Sequence, residues 1–286
     1  MLNRSLLGER EFAILRDLIY QEAGIHLSDS KRVMMEARLQ RRLIDLNLSG
    51  FKQYVDYLQS NKGRESERVH FINRMTTNKT DFFREPKHFE FLTQTALPRI
   101  KQKLSPDSSQ PVMIWSSASS TGEEAYTIGM ILSEYVRLNP TLTDNFYILG
   151  TDISTKALGE AREAIYPASR IEDIPPAFRS RYLLSSKDPH KQTVRICPTI
   201  RQKVEFESFN LVTGQLGPLK KFDIIFCRNV LIYFDLKTRH AVLKNLYRSL
   251  LPGGYLLIGH SETLHDIDLP YVNVQPTIYT KRGDIE

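Results

Sequence analysis

Val112-Met113-Ile114-Trp115-Ser116-Ser117-Ala118-Ser119-Ser120-Thr121-Gly122-Glu123-Glu124 runs from a short apolar segment through a series of small residues to an acidic pair. The order is that of a strand, a tight turn and a helix start, in which small side chains let a ligand approach the backbone. A second apolar run, Phe146 to Gly150, ends at Thr151-Asp152. An acid at the tip of the second strand of an α/β unit is placed to hydrogen-bond ribose hydroxyls. Together the two stretches predict a nucleoside cofactor bound at the edge of a parallel sheet.

The type of cofactor follows from what the turn lacks. A dinucleotide site normally carries G-x-G-x-x-G, with the acid about 20 residues on. This turn has only Gly122, and its acid lies further away. Glu123 and Glu124 favour the helix dipole but repel a phosphate. A nucleoside with a cationic tail fits better, and S-adenosylmethionine carries a ribose, an amino group and a sulfonium. Glu124 is then the partner of the amino group; the competing reading is a carboxylate that only caps the helix.

Composition bounds the rest. With 286 residues, 41% hydrophobic and 25% charged, the chain can hold one large domain and a smaller one. Cys197 and Cys227 are too few for a disulfide framework and fit a reducing cytoplasm. No apolar stretch is long enough for a membrane span, and Met1 to Phe12 lacks the apolar core of a secretory leader. The seven histidines form no metal-ligand spacing, so no metal is expected. A net charge of +6 points to an acidic partner.

Periodicity divides the chain near residue 76. Before it, Phe12, Leu15 and Ile19 recur at helical spacing up to Gly24, and Met35, Leu39, Leu43 and Leu46 form the stripe of a second helix after Ser28-Asp29-Ser30. Shorter helices are predicted over Phe51 to Leu58 and Glu65 to Met75. After residue 110 strands and helices alternate, which predicts a parallel sheet with helices on both faces. Strands are expected at Val112 to Trp115, Phe146 to Gly150, Val204 to Phe206, Phe222 to Phe226, Tyr255 to Ile258 and Thr277 to Thr280. Helices are expected at Glu123 to Tyr135, Thr155 to Ile165 and Leu236 to Leu250. Two β-prone runs, Arg181 to Ser185 and Thr193 to Cys197, flank the turn Ser186-Lys187-Asp188-Pro189-His190 and read as an inserted hairpin with an edge open to an added strand.

Six motifs stand in order along the chain. They are Arg74-Met75-Thr76-Thr77-Asn78-Lys79-Thr80-Asp81-Phe82-Phe83-Arg84-Glu85, Ser119-Ser120-Thr121-Gly122-Glu123-Glu124, Thr151-Asp152-Ile153, Phe209-Asn210-Leu211, Cys227-Arg228-Asn229-Val230-Leu231-Ile232-Tyr233-Phe234-Asp235 and Gly259-His260-Ser261-Glu262. In this order the chain resembles the bacterial chemotaxis receptor methyltransferases, the CheR family, over nearly its whole length. A departure is Ala125, where many members have proline, a residue favoured but not required at a helix start. The resemblance implies an α/β, Rossmann-like S-adenosylmethionine-dependent methyltransferase sheet at residues 111–286, an all-helical N-terminal domain at 1–76 for substrate recognition, a linker and connecting helix at 77–110 and a small inserted β-subdomain at about 179–203. It also implies methyl transfer to glutamate side chains of chemoreceptors, giving methyl esters and S-adenosylhomocysteine.

Carried over position by position, the resemblance assigns Asn78, Thr80 and Arg84 to a segment over the cofactor, Glu124 to its amino group and Asp152 to its ribose. Asn210 and Leu211 would meet the adenine, the amide on the base edge and the alkyl chain on its face. Arg228, Asn229 and Tyr233 would lie where the acceptor approaches, with Arg84 and Tyr233 holding its carboxylate. A glutamate with a pKa of about 4.3 is already ionised near neutral pH, so the reaction needs no general base. Lys31, Arg38, Arg41 and Arg42 fall on one flank of the second helix and would steer the glutamate-rich cytoplasmic helices of receptors. The chain is expected to be a cytoplasmic monomer, with the hairpin as a place for a receptor C-terminal peptide. A nucleic-acid methyltransferase is disfavoured because Cys227-Arg228-Asn229 stands where a polar-Pro-Pro-aromatic motif would be required. The alternative is a methyltransferase-fold protein acting on another acidic protein, or a non-catalytic cofactor-sensing adaptor.

Overall fold

The computed structural model describes residues 5–103, 110–139, 145–188, 190–217 and 220–282; Pro189 of the predicted hairpin turn lies outside them. Helix α1 (Glu9–Ala23) buries Phe12, Leu15 and Ile19 and ends where Gly24 takes a φ of 69° and its N–H caps the Tyr20 carbonyl. A single 3₁₀ turn, Asp29–Lys31, leads into α2 (Arg32–Asp45), so Lys31 precedes this helix rather than lying on it. Helices α3 (Phe51–Gln59), α4 (Asn61–Ser66) and α5 (Arg68–Met75) complete the bundle, whose core joins Leu15, Met35, Leu39, Tyr54, Leu58 and Phe71. The chain then passes through α6 (Lys87–Phe91), a π-helical turn and α7 (Leu97–Lys103) to the sheet.

The sheet elements follow as β1 (Val112–Ser116), α8 (Glu123–Leu138), β2 (Phe146–Asp152) and α9 (Thr155–Glu163). After an insertion come β6 (Val204–Ser208), β7 (Phe222–Cys227), α12 (Leu236–Ser249), β8 (Leu250–Ile258), β9 (Tyr271–Gln275) and β10 (Ile278–Lys281), the insertion holding β3 (Ile165–Pro167), α10 (Pro176–Tyr182), β4 (Leu183–Ser185), β5 (Thr193–Ile196) and α11 (Pro198–Arg201). Spatial order is β6-β2-β1-β7-β8-β10-β9, parallel through β8 and antiparallel at β10. Adjacent residues point to opposite faces, so Ile114, Ile148 and Phe226 enter one core while Trp115, Leu149 and Ile225 enter the other. Strand order reverses between β2 and β7 on either side of β1, and the crevice beyond the carboxyl ends of these strands is the ligand position of such sheets.

Three expectations need correction. The Thr155 helix stops at Glu163 because Ala164 adopts φ 55°, and Ile165 starts a strand instead of ending the helix. The inserted sheet consequently has three strands in the order β3-β5-β4, while Arg181 and Tyr182 belong to α10. Strand β8 begins at Leu250, taking in Pro252-Gly253-Gly254 through an irregularity opposite Phe222 and Ile224, and β9 was not anticipated. Among the described residues no helix is long and apolar enough to cross a membrane.

Candidate functional site

The turn after β1 is threaded over the ends of its neighbours. The Ser117 N–H donates to the Phe226 carbonyl at 2.8 Å and the Ser119 N–H to the Thr151 carbonyl at 2.8 Å, so both flanking strands fix it. Gly122 closes the turn at φ 95°, where an added Cβ would lie 3.0 Å from the Ala161 methyl and 3.1 Å from the Tyr166 hydroxyl. Helix α8 then starts with its acids pointing apart. Glu123 is buried against Arg170 at 2.7 Å. Glu124 faces a cavity, its Oε1 accepting from the Ser116 hydroxyl at 2.7 Å and its Oε2 lying 3.2 Å from Arg228 Nη1.

That cavity, of about 380 Å³, lies between the helical bundle and the carboxyl ends of the strands. Glu124 and Asp152 line it together with Asn78, Thr80, Arg84, Asn210, Leu211, Arg228, Asn229 and Tyr233. Asp152 accepts backbone N–H bonds from Ser120 at 2.8 Å and Ser154 at 2.9 Å, which aim its carboxylate. Burial pushes the Asp152 and Glu124 carboxyls above their ordinary values; the two N–H bonds oppose this at Asp152, and Arg228 and Ser116 oppose it at Glu124. Both are therefore desolvated acceptors that gain from a cation or hydroxyl donor.

The Asn78 to Arg84 segment is tied down from several sides. Ser120 Oγ donates to the Asn78 carbonyl at 2.9 Å, Arg170 donates to the Thr80 carbonyl, and Arg84 reaches back to the Lys79 carbonyl at 3.3 Å. Phe83 and Glu85 flank Arg84 with φ of 54° and 58°, left-handed conformations that cost energy for side chains of this size. The Glu85 carboxylate takes the bonds that hold this shape, from Arg228, from Asn229 Nδ2 at 3.3 Å and from the His260 N–H at 3.2 Å. Asn229, itself at φ 57°, sits on a loop fixed by Glu262, whose carboxylate accepts from the N–H groups of Asn229, Leu231 and Gly259.

Some sequence-assigned roles change. The Asn210 amide does not face a base edge: Nδ2 donates to the Glu22 carbonyl at 2.7 Å and Oδ1 accepts from Val212 N–H at 2.9 Å, so it ties the loop to α1. Leu211 does line the cavity, as an adenine face requires. Arg228 is only 2% exposed at its side chain and is committed to Glu85, Glu124 and the Arg84 carbonyl. The basic flank splits. Lys31 and Arg38 line the cavity, with Arg38 also bonded to the Met75 carbonyl and Thr77 hydroxyl. Arg41 is solvent-exposed beside Asp45, whereas the Arg42 guanidinium is bound at both ends to buried Glu67 and is unavailable to a partner.

Glu85, Glu262 and Ser116 received no role from the sequence. Their signal was membership of the motifs, or adjacency to them; their partners are remote in the chain. Glu85, His88 and His260 also bring three possible metal-ligand atoms within 4.8 Å, a grouping that histidine spacing hides. Both Glu85 oxygens are already taken by cationic or N–H donors, and Arg228 lies 3.1 Å away, so an ion there would meet a buried guanidinium.

Residues 10–76 match the family described as CheR methyltransferase, all-alpha domain, and residues 78–280 match CheR methyltransferase, SAM binding domain. The chain belongs to the CheR methyltransferase family. Its relatives include a chemotaxis protein methyltransferase of Borreliella burgdorferi, 39% identical and covering 95% of this chain and 94% of the relative. Another is the chemotaxis protein methyltransferase of Escherichia coli strain K12, 37% identical over 99% of this chain and 95% of the relative. This CheR-family chain is an S-adenosylmethionine-dependent methyltransferase, and its cavity fits that cofactor by the chemistry of its donors. A desolvated carboxylate suits the ammonium, and a second carboxylate at the tip of β2 suits vicinal hydroxyls. Leu211 supplies an apolar wall.

Proposed function

We propose that the protein methylates glutamate side chains on the cytoplasmic helices of chemoreceptors, acting as a cytoplasmic monomer in sensory adaptation. The observation that carries this reading is the charge layout of the cavity: carboxylates Glu124 and Asp152 line it for the cofactor, and Arg84, Arg38 and Lys31 line it with Tyr233 for an acidic acceptor. Membership of the CheR family, with relatives named chemotaxis protein methyltransferases, supports the same substrate.

When bound, S-adenosylmethionine supplies an electrophilic methyl group on a sulfonium and leaves as S-adenosylhomocysteine. Glu124 holds the ammonium end, Asp152 the ribose, and Asn78, Thr80 and Asn229 close the cavity around them. Arg84 and Tyr233 orient the acceptor carboxylate, Arg84 through a planar fork of charge-assisted donors and Tyr233 through its hydroxyl. The acceptor is ionised near neutral pH, so these residues need not remove a proton. Alignment and exclusion of water supply the acceleration, an effect worth roughly 7 to 11 kcal/mol when geometry is well held.

Lys31, Arg38 and Arg41 are the cations that steer the acidic receptor helix. A receptor C-terminal peptide is proposed to add to the small sheet along β4, supported by the place of β4 at the end of the strand order and by Leu184, which is 51% exposed. The test is incubation with methyl-labelled S-adenosylmethionine and receptor-bearing membranes, nucleic acid or buffer. Base-labile methyl esters on receptor alone are expected; label on nucleic acid, or on nothing, overturns the reading.

A further inference from the structure

Glu85 belongs to no ligand role assigned above, yet it is one of the most heavily bonded carboxylates near the cavity. Its Oε2 lies 3.1 Å from Arg228 Nη2, and Arg228 Nη1 lies 3.2 Å from Glu124 Oε2, so one guanidinium bridges two carboxylates. All three side chains are desolvated, with 10%, 2% and 12% exposure for Glu85, Arg228 and Glu124. Neighbouring His88 is buried, and burial depresses its pKa to about 4, so it adds no charge at neutral pH. Arg84 also lines the cavity but donates to the Lys79 carbonyl, whereas Arg228 touches Glu124 directly. The buried trio therefore carries a net charge of about −1, concentrated where charge–charge energies are largest.

From this we infer that Glu85 is a positioning residue that sets the charge of the cofactor site: by neutralising Arg228 it leaves Glu124 with an uncancelled negative charge for the cofactor ammonium. Without it, Arg228 and Glu124 would close as a neutral pair, and an incoming ammonium would have to compete with a guanidinium already in place. The left-handed backbone at Glu85 is explained by the same demand, since it is the conformation from which the carboxylate meets Arg228, Asn229 and the His260 N–H at once. The inference rests on Glu124 as the ammonium partner.

The test compares binding of S-adenosylhomocysteine with binding of its deaminated analogue, in which hydrogen replaces the α-amino group, by calorimetry. The ratio of the two affinities reports the ammonium alone. Glu85→Gln keeps shape and removes charge, and should lower the ratio about tenfold while changing affinity for the deaminated analogue less than about threefold. Glu85→Gln/Arg228→Gln restores the net charge of about −1 on Glu124 and should return the ratio to within about threefold of the wild type. A single variant that weakens both ligands equally, or a double variant whose ratio stays as low as that of the single, overturns the inference. If the single variant fails to fold by thermal melting, the double variant decides: a ratio near wild type supports the inference and a tenfold lower one overturns it. Glu124→Gln separates the two levels of argument. An unchanged ratio there sinks the assignment of Glu124 itself, whereas a collapsed ratio there with an unchanged one in Glu85→Gln sinks only the role of Glu85.

Discussion

The role proposed for Arg84 does not require a free side chain. Its side chain is half-buried on the cavity wall and donates to the Lys79 carbonyl at 3.3 Å, and the residue stands between two others with positive φ. Arg84→Ala should cut receptor methylation sharply at saturating S-adenosylmethionine, and Arg84→Lys should recover only part, because lysine lacks the planar fork. A wild-type rate for Arg84→Ala under those conditions would make the residue structural. Asp152 combines two duties, accepting the Ser120 and Ser154 N–H groups while lining the cavity. Asp152→Ala should therefore weaken S-adenosylhomocysteine binding by about 1.5 to 3 kcal/mol and lower the melting temperature as well. Calorimetry and a thermal scan read the two effects; unchanged affinity would remove Asp152 from the ribose site.

At the scale of elements, α2 separates charges that its sequence presents as one flank. Arg42 is paired with Glu67, itself 2% exposed, and Tyr54 donates to the same carboxylate at 3.0 Å. Removing one member of a buried pair leaves an uncompensated charge, so Arg42→Met should destabilise the protein by about 3 to 5 kcal/mol. Arg41→Glu, at an exposed position, should leave the unfolding midpoint almost unchanged yet slow receptor methylation at low salt, with the defect fading as salt is raised. Urea unfolding and initial rates at two ionic strengths check both. An Arg41→Glu rate equal to wild type at low salt would remove this residue from the steering surface.

Across the whole molecule, the bundle and the sheet are joined by polar contacts around the cavity. Tyr20 donates to Asp235 at 2.8 Å, the His26 N–H to the Tyr233 carbonyl at 2.9 Å, and Asn73 bonds Ser154, Thr155 and the Lys156 N–H at the start of α9. His88, on α6, is 1% exposed and bonded through Nε2 to Thr277 at 2.8 Å. Burial, then Arg228, lowers its pKa from the ordinary 6.5 to about 4. The unfolded chain takes up the proton first, so the His88 contribution is complete above about pH 6.5 and is lost as pH falls toward 4, at most about 3 kcal/mol. The buried carboxyls of Glu123, Glu124, Asp152 and Glu262, with raised pKa values, act in the opposite sense. The comparison is therefore between wild type and His88→Gln: the difference in unfolding free energy between pH 7 and pH 5 should shrink in the variant. An identical pH dependence would mean that His88 is not buried neutral.

The sequence by itself determined the alternation of strands and helices, the turn from Ser116 to Gly122 and the acids Glu124 and Asp152, because these are local matters of side-chain size, periodicity and position at a strand end. It also carried the family, through motifs whose order survives in one dimension. What it did not determine was which polar atoms remain available. Asn210, Arg228 and Arg42 have the right chemistry for a ligand, but Glu22, Glu85 with Glu124, and Glu67 take their hydrogen bonds first. Those partners are remote in sequence, as Ile165 is from the Arg195 that turns it into a strand. Only the tertiary structure brings such groups within 3 Å or so, and in a desolvated interior the first partner to satisfy a charge or an amide excludes the others.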